Sequence, residues 1–280
     1  MLENNDILNV KGGLMKKRYL LLLLIALVVF AIVPKNTSAS STYRTYEEEF
    51  PDYVTISENT KYYKTIYTYH FDLMADVSTI NRSVETVTYE VSQEEYENAS
   101  TENNIILSNP TAVETVYKRM TASITTNGSN YRYKNVLQWK IMPSLRSYDI
   151  IGIGFLGNVE PATIPYFRQD YCFSSNNCSV LTLHTPQVFN YGAGTSFKLV
   201  EGELASLKET LYFDVKKKNA NSTIYSQYAY GDYAHATSTI NMINATNYQV
   251  IQAAGLALNT SISSYYDTLE VADASWFGTW

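Results

Sequence analysis

Alternation of apolar and polar residues is the feature of this sequence that most constrains its fold, and it recurs along the chain beyond residue 60. In the segment 63–73, YKTIYTYHFDL, Tyr63 and Tyr67 occupy odd-numbered positions, whereas Lys64 and His70 occupy even-numbered ones. Successive side chains of a β-strand point to opposite faces, so this period of two predicts a long strand with one buried face.

Many short alternating segments separated by turn residues, with few helical patterns, predict an all-β protein. We expect an antiparallel β-sandwich, of which a jelly roll is one form, preceded by a helical signal peptide. One short helix is expected at Gln93–Asn98, because Ser92 and Glu95 match a capping box just ahead of and within it.

The N-terminal region has the layout of a secretory signal peptide. A basic cluster ending at Arg18 precedes the apolar run Tyr19–Val33, and small residues follow, with Thr37 and Ala39 at the positions that a signal peptidase reads. We expect cleavage between Ala39 and Ser40, and therefore a secreted, extracellular protein. A retained membrane anchor is the alternative, but the apolar run of 15 residues is shorter than the ~20 that span a bilayer.

Three regions follow from this layout. Residues 1–39 form the signal region, in which we expect translation to start at Met15 in a bacterium, because the acidic residues ahead of Met15 do not fit a signal peptide. Residues 40–110 form an N-terminal β segment, and residues 111–280 form the main sandwich. Their combined length also suits one large β domain, so both divisions stay open.

Two local patterns predict how particular strands are placed. The almost continuously apolar run Tyr148–Phe155 predicts a central strand covered on both faces, with Gly152 and Gly154 allowing either a close approach of another backbone or a bulge. The segments Glu209–Lys216 and Thr223–Tyr230 predict two strands joined as a hairpin.

The dipeptide Asn127-Gly128 predicts a hairpin with a two-residue turn, because both residues tolerate positive φ. Such a turn pairs Thr126 with Ser129. It also fixes the remaining cross-strand pairs, which are Ile124 with Tyr131, Ala122 with Tyr133, Lys118 with Leu137, and Val116 with Trp139.

The charge of the exported part argues against polyanionic partners. Beyond residue 39, 16 Lys and Arg residues stand against 25 Asp and Glu residues, which gives a net charge of −9. Such a surface repels phosphate backbones and anionic lipid headgroups. We therefore expect no nucleic-acid partner, and contact with a membrane only transiently through the signal peptide.

Cysteine and tyrosine usage agrees with an exported β-protein. The two cysteines, Cys172 and Cys178, are expected to form a disulfide in an oxidising compartment. The chain has 25 tyrosines against 10 phenylalanines and 3 tryptophans. Tyrosine suits both half-buried sheet faces and binding surfaces.

Catalytic and cofactor motifs are weak. The glycines at 152, 154 and 157 match G-x-G-x-x-G, but prolines rather than a helix follow them, so we expect no cofactor. The three histidines are far apart in the sequence and predict no metal site. A carboxylate pair is the one catalytic option left open, with Asp149, Glu201, Glu203 and Asp214 as nominal members.

Recognition of an extracellular ligand is the function that these features favour. We expect a non-catalytic protein that binds a glycan, a cell-wall component or another cell-surface ligand. Its candidate binding residues are Trp276, Trp280, Tyr230 and Tyr233, because aromatic rings stack on sugars. A secreted pore-forming or membrane-active toxin is the first alternative, since the segment 209–230 has the length of a membrane-inserting hairpin. An exported hydrolase with a carboxylate pair, such as a glycosidase, is the second.

Overall fold

Antiparallel strands make up most of the structure, as the all-β prediction requires. The computed structural model describes residues 43–71, 82–100, 104–108, 111–183, 186–241 and 247–280, and the predicted signal region lies outside them. The strands of this part are β1 Val54–Phe71, β2 Arg82–Val91, β3 Ile105–Ser108, β4 Thr111–Thr126, β5 Tyr131–Ile141, β6 Tyr148–Phe155, β7 Val159–Pro161, β8 Tyr166–Ser174, β9 Asn177–Leu183, β10 Gln187–Phe189, β11 Gly192–Lys198, β12 Ser206–Lys217, β13 Ser226–Ala236, β14 Tyr248–Ile251, β15 Gly255–Leu258, β16 Tyr266–Thr268 and β17 Ala272–Phe277. Its helices are α1 Tyr46–Glu49, α2 Gln93–Asn98 and α3 Thr260–Ser263.

Most of the strands belong to two sheets, which we call sheet A and sheet B. In the described part of the chain, sheet A has nine strands in the order β2-β1-β4-β5-β12-β8-β9, with β3 beside β4 and β7 beside β12. Sheet B has six strands in the order β10-β11-β6-β13-β16, with β17 beside β13, while β14 and β15 form a separate hairpin. Residues 43–280 make one compact unit, and both sheets contribute to a shared hydrophobic cluster.

The shared cluster joins the apolar faces of strands from both sheets. Val116 and Leu137 of sheet A and Ile151 and Phe155 of sheet B are almost completely inaccessible to water. Tyr63, on the predicted buried face of β1, belongs to the same cluster. Burying a side chain of this size contributes about 1.5–3 kcal/mol, so many modest contributions hold the two sheets together.

The β4–β5 hairpin has the predicted buried faces but a different register. Thr126 pairs with Tyr131 rather than with Ser129, and Ile124 pairs with Tyr133 rather than with Tyr131. The predicted register is therefore wrong by two residues. A shift of two residues leaves the same side chains on the buried face, so the burial pattern cannot detect it.

The side chain of Asn127 accounts for the longer loop of this hairpin. Its amide oxygen accepts the backbone N–H groups of Ser129 and Asn130, at 3.1 and 2.8 Å. Within the loop, Gly128 has a positive φ of 86°, whereas Asn127 does not. A two-residue type I′ turn needs positive φ at both positions, so Asn127 favours a four-residue loop instead.

Strands β12 and β13 do not pair with each other, so the predicted hairpin over residues 209–230 is wrong. β12 lies in sheet A between β5 and β8, whereas β13 lies in sheet B, with β6 on one side and β16 and β17 on the other. Each strand already has neighbours along both edges. The chain between them passes from one sheet to the other, which alternation within each strand does not reveal.

Strand β6 is the predicted central strand, and it lies between β11 and β13. Its two glycines face the β14–β15 hairpin on the outer side of sheet B. A Cβ at Gly152 would lie 2.8 Å from Cδ2 of Leu256, and one at Gly154 would lie 3.2 Å from the carbonyl oxygen of Ile251. The predicted approach of another backbone is confirmed at Gly154, whereas Gly152 makes room for the side chain of Leu256. The lack of a side chain at both positions lets the hairpin lie directly on the sheet.

The predicted helix and the predicted disulfide are both present. Helix α2 spans Gln93–Asn98, and Oγ of Ser92 accepts the backbone N–H of Glu95 at 3.1 Å. Cys172 and Cys178 form a disulfide between the paired strands β8 and β9. The sequence does not predict α1 and α3, because four residues are too few to show a helical period. Within the described residues, no helix has the length and apolar character needed to cross a membrane.

Candidate functional site

The candidate site is built on the outer face of sheet A, where β5, β12 and β8 lie side by side. Along β12, Phe213 joins the core cluster, whereas Tyr212 and Asp214 point to the opposite face. Cross-strand pairing places Tyr166 of β8 beside Tyr212 and Arg132 of β5 beside Asp214. The alternation of these strands thus gathers aromatic rings and charged groups away from the core.

Residues 43–53, which include α1, cross this face, and we call them the arm. The ring of Tyr46 lies 5.0 Å from the ring of Tyr212 in an edge-to-face arrangement. The hydroxyl of Tyr53 donates to a carboxylate oxygen of Asp214 at 3.0 Å. The arm is therefore held by both aromatic packing and hydrogen bonds.

Arg132 lies at the centre of the contacts between the arm and sheet A. Its guanidinium carbon is 4.3 Å from the ring centre of Phe50, 3.8 Å from that of Tyr53 and 5.0 Å from that of Tyr212. Its Nε donates to Oδ1 of Asp214 at 2.7 Å. Burial opposes the charge of Arg132, but its hydrogen bonds and electrostatic attraction to Asp214 and Tyr46 together outweigh burial, so the pKa of Arg132 lies above its ordinary value.

Arg168 is bound by two carboxylates and a carbonyl group. Its Nε donates to Oδ2 of Asp170 at 2.9 Å, and its Nη2 donates to the other oxygen of the same carboxylate. Its Nη1 lies 2.5 Å from Oε2 of Glu49, and its Nη2 also donates to the carbonyl oxygen of Arg44 at 2.7 Å. Arg168 therefore holds the arm against β8 at two positions, Arg44 and Glu49.

An open cleft of about 330 Å³ lies between the arm and sheet A, and we call it the aromatic–arginine cleft. The residues that define it are Phe50, Arg132, Tyr166, Arg168, Thr182 and Tyr212. Tyr166 forms the accessible wall, because it is 44% exposed. Its ring lies 5.7 Å from the ring of Tyr212, with 17° between the two planes. Burial raises the pKa of Tyr212, so this hydroxyl stays neutral.

The charges around the cleft favour a neutral ligand. Of the described residues that line it, Arg132 is already paired with Asp214, and Arg168 is already paired with Asp170 and Glu49. Three carboxylates thus stand against two guanidinium groups. A phosphate or sulfate ligand would have to displace one of these carboxylates. The hydroxyl groups of a neutral ligand can instead bind the guanidinium N–H groups and carboxylate lone pairs that the ion pairs leave unused.

The four predicted binding residues do not come together in one site. Tyr230 is partly exposed on the outer face of sheet B, beside Tyr228. Trp276 and Trp280 are partly buried and pack on the ring of Tyr131 instead, at 5.3 and 4.7 Å between ring centres. Tyr233 is fully enclosed in the core, so it offers no surface to a ligand.

The nominal catalytic carboxylates have separate surroundings. Asp149 is fully buried and accepts hydrogen bonds from Tyr233 and His235. Asp214 is paired with Arg132, and Glu201 is paired with Lys198 at the surface. In the stretches that the structure describes, no group of three or more His, Cys, Asp or Glu side chains is placed to hold a metal ion.

Comparison with protein-family models, with curated proteins and with solved structures gives no match for this chain. Only the geometry of the aromatic–arginine cleft therefore indicates which class of ligand it suits. Sequence reasoning missed it, although one signal was present. Tyr166, Arg168 and Asp170 alternate along a single strand, as Tyr212 and Asp214 do along another, and this predicts an outer face richer in rings and charges than plain solvent exposure requires.

Proposed function

We propose that this protein is exported and binds a neutral glycan, as part of a cell wall or cell surface, in the aromatic–arginine cleft, without catalysing a reaction. The observation that carries the proposal is the exposed ring of Tyr166, which stacks on the buried ring of Tyr212, beside two arginines that are already paired with carboxylates. The signal region, with cleavage after Ala39, supplies the route to the outside. The shared core supports an antiparallel β-sandwich, of which a jelly roll is one form, as the rigid scaffold.

Sugar rings suit the chemistry of this cleft. Their C–H faces are apolar and stack on aromatic side chains, while their hydroxyl groups need polar partners around the rim. Phe50 and Tyr166 offer the rings, and Thr163 and Thr182 offer hydroxyl groups. A volume of about 330 Å³ lies at the small end of ligand pockets, which fits a short stretch of a glycan rather than a large folded partner.

A binding experiment with one matched control tests the proposal. The wild type, Tyr166→Ala and the control Tyr225→Ala are applied to a glycan array and to insoluble cell-wall preparations. Tyr225 is 70% exposed and does not line the cleft. We expect Tyr166→Ala to weaken binding by about tenfold or more, because a lost aromatic contact of about 1.4 kcal/mol corresponds to one decade of affinity.

The outcome that would refute the proposal is equal retention of the wild type and Tyr166→Ala, or no retention of either on any surface. The two alternatives from the sequence stay predictions. Release of dye from liposomes of several compositions tests the toxin, and release of reducing sugars from cell-wall polysaccharide tests the hydrolase.

A further inference from the structure

A second pocket opens beside strands β13 and β16 of sheet B and is also lined by Lys61 of β1, away from the aromatic–arginine cleft on β5, β12 and β8. We call it the Asp232 pocket, and its volume is about 590 Å³. The residues that matter for its chemistry are Asp232, Leu256, Leu258, Tyr266, Leu269 and Glu270. Its walls combine apolar side chains with two carboxylates and with the ammonium group of Lys61.

Asp232 is enclosed, with only 4% of its surface exposed, yet it lines the pocket. One carboxylate oxygen accepts the backbone N–H of Tyr233 and the other accepts that of Leu256, both at 2.6 Å. Each oxygen of a carboxylate has two lone pairs, so capacity for further donors remains. Among the described residues, no Lys, Arg or His side chain forms an ion pair with Asp232.

The other charged groups near the pocket do not neutralise Asp232. Lys61 is engaged by Glu90 at 3.1 Å and by Glu270 at 3.0 Å. The phenol groups of Tyr63 and Tyr266 also lie near, and burial raises the pKa of both. The pocket thus keeps an excess of negative charge and has a buried carboxylate that lacks a cation.

We propose that the Asp232 pocket binds a primary ammonium group carried on an apolar stem, with the ammonium on Asp232 and the stem against Leu256, Leu258 and Leu269. An ammonium group donates three hydrogen bonds and neutralises the carboxylate, while its stem covers apolar wall. A buried carboxylate without a cation is costly, so a ligand that supplies one gains more here than at the protein surface.

The pocket also predicts how binding depends on pH. Burial raises the pKa of Asp232 to about 7. An alkylamine with a pKa of about 10.4 stays protonated throughout the neutral range. The ammonium ion therefore meets a mostly neutral Asp232 at pH 6 and a mostly ionised one at pH 8, and it should bind about tenfold more tightly at pH 8.

Calorimetric titration with n-butylamine hydrochloride tests the proposal in the wild type, with n-butanol as the neutral match at constant ionic strength. We expect saturable binding of butylammonium, no comparable binding of butanol, and the pH dependence given above. Equal binding of the two compounds, an affinity that is the same at pH 6 and pH 8, or no saturable binding at either pH would overturn the proposal.

Two variants locate the interaction. Asp232→Asn keeps the shape and the acceptor for the Leu256 N–H but removes the charge, so we expect it to abolish binding of butylammonium. Glu270→Gln removes an exposed carboxylate at the rim and should retain affinity within about twofold. The reverse result would refute a site on Asp232. If Asp232→Asn does not fold, the pH profile of the wild type decides, and Tyr166→Ala should bind butylammonium normally because its cleft is separate.

Discussion

Asp149 and His235 form an enclosed hydrogen-bonded pair, with Oδ2 of Asp149 2.8 Å from Nδ1 of His235. The same carboxylate accepts the hydroxyl of Tyr233 and the backbone N–H of Ala236. Two strands of sheet B, β6 and β13, are thus joined by a side-chain network in addition to their own ladder. The pair lies where no ligand reaches it, so its role is to hold the interior together.

Replacing Asp149 should therefore reduce stability strongly. We expect Asp149→Asn to lower the free energy of unfolding by about 2–4 kcal/mol, because several buried donors lose a charged acceptor. Urea unfolding measures the change. Glu203→Gln, at an exposed position, serves as the control and should change stability by less than about 0.5 kcal/mol. An unchanged midpoint for Asp149→Asn would contradict the structural role.

Lys118 gives a prediction in which stability depends on pH. This side chain is fully buried, and its Nζ lies 3.0 Å from Oδ2 of Asp267. Burial opposes the charge of Asp267, but Lys118 and the hydroxyl of Thr88 outweigh it and hold the pKa of Asp267 below its ordinary value. A lowered pKa contributes stability above the unfolded value of about 3.9, and this stability is lost as the pH falls.

We expect Lys118→Met to cost about 3–5 kcal/mol at pH 7, because it leaves the buried carboxylate of Asp267 without its cation. The cost should shrink as the pH falls towards 3.5, because Asp267 is then protonated in the variant, where burial without Lys118 raises its pKa. Urea unfolding at pH 7 and pH 3.5 measures both values. Lys64→Met breaks a surface pair with Glu95 and should cost less than about 1 kcal/mol. An equal cost of Lys118→Met at both pH values would count against this assignment.

Asp232 predicts the opposite dependence on pH in the absence of any ligand. Its folded-state pKa is raised to about 7 by burial, so the folded protein holds a proton that the unfolded chain releases near pH 4. Ionisation of Asp232 thus opposes folding increasingly from pH 4 to pH 7, by a total on the order of 3–4 kcal/mol. Asp232→Asn should lose less stability than the wild type between pH 5 and pH 8 in urea unfolding. Parallel curves would show that Asp232 ionises normally.

Gly192 tests the seating of the β14–β15 hairpin on sheet B. A Cβ at this position would overlap the carbonyl oxygen of Ile153 and a methyl group of Val250. We expect Gly192→Ala to cost about 1–3 kcal/mol and to speed hydrogen exchange in residues 248–258. The control Gly128→Ala has a positive φ but no atom within 4 Å, so it should cost about 1–2 kcal/mol without affecting that exchange. Unchanged exchange in Gly192→Ala would show that the hairpin does not depend on this contact.

The sequence was informative about which residues face the core and much less so about which strands meet. Side-chain parity correctly places Val116, Leu137 and Tyr63 inside, because burial follows the period of two. A shift of two residues leaves the same side chains on the buried face, so the alternation does not determine the register beside Asn127. Nor does the alternation determine the sheet that a strand joins, which is why β12 and β13 were expected to pair.

The candidate site was harder to predict than the fold. Tryptophans near the chain end look accessible in a sequence, but Trp276 and Trp280 cover Tyr131 at the border of the core. The cleft depends on Phe50 meeting Tyr166, residues more than a hundred positions apart. No local pattern encodes such a meeting, since it follows from the arm crossing three strands of sheet A.

Because one wall of the aromatic–arginine cleft belongs to the arm and the other to sheet A, a bound molecule would act as a clasp between them. Binding of a ligand in the cleft and attachment of the arm to sheet A are then thermodynamically linked, so each stabilises the other. Ligand binding should therefore slow cleavage of the arm by a protease that cuts near Tyr53, so the rate of proteolysis would report on occupancy of the cleft.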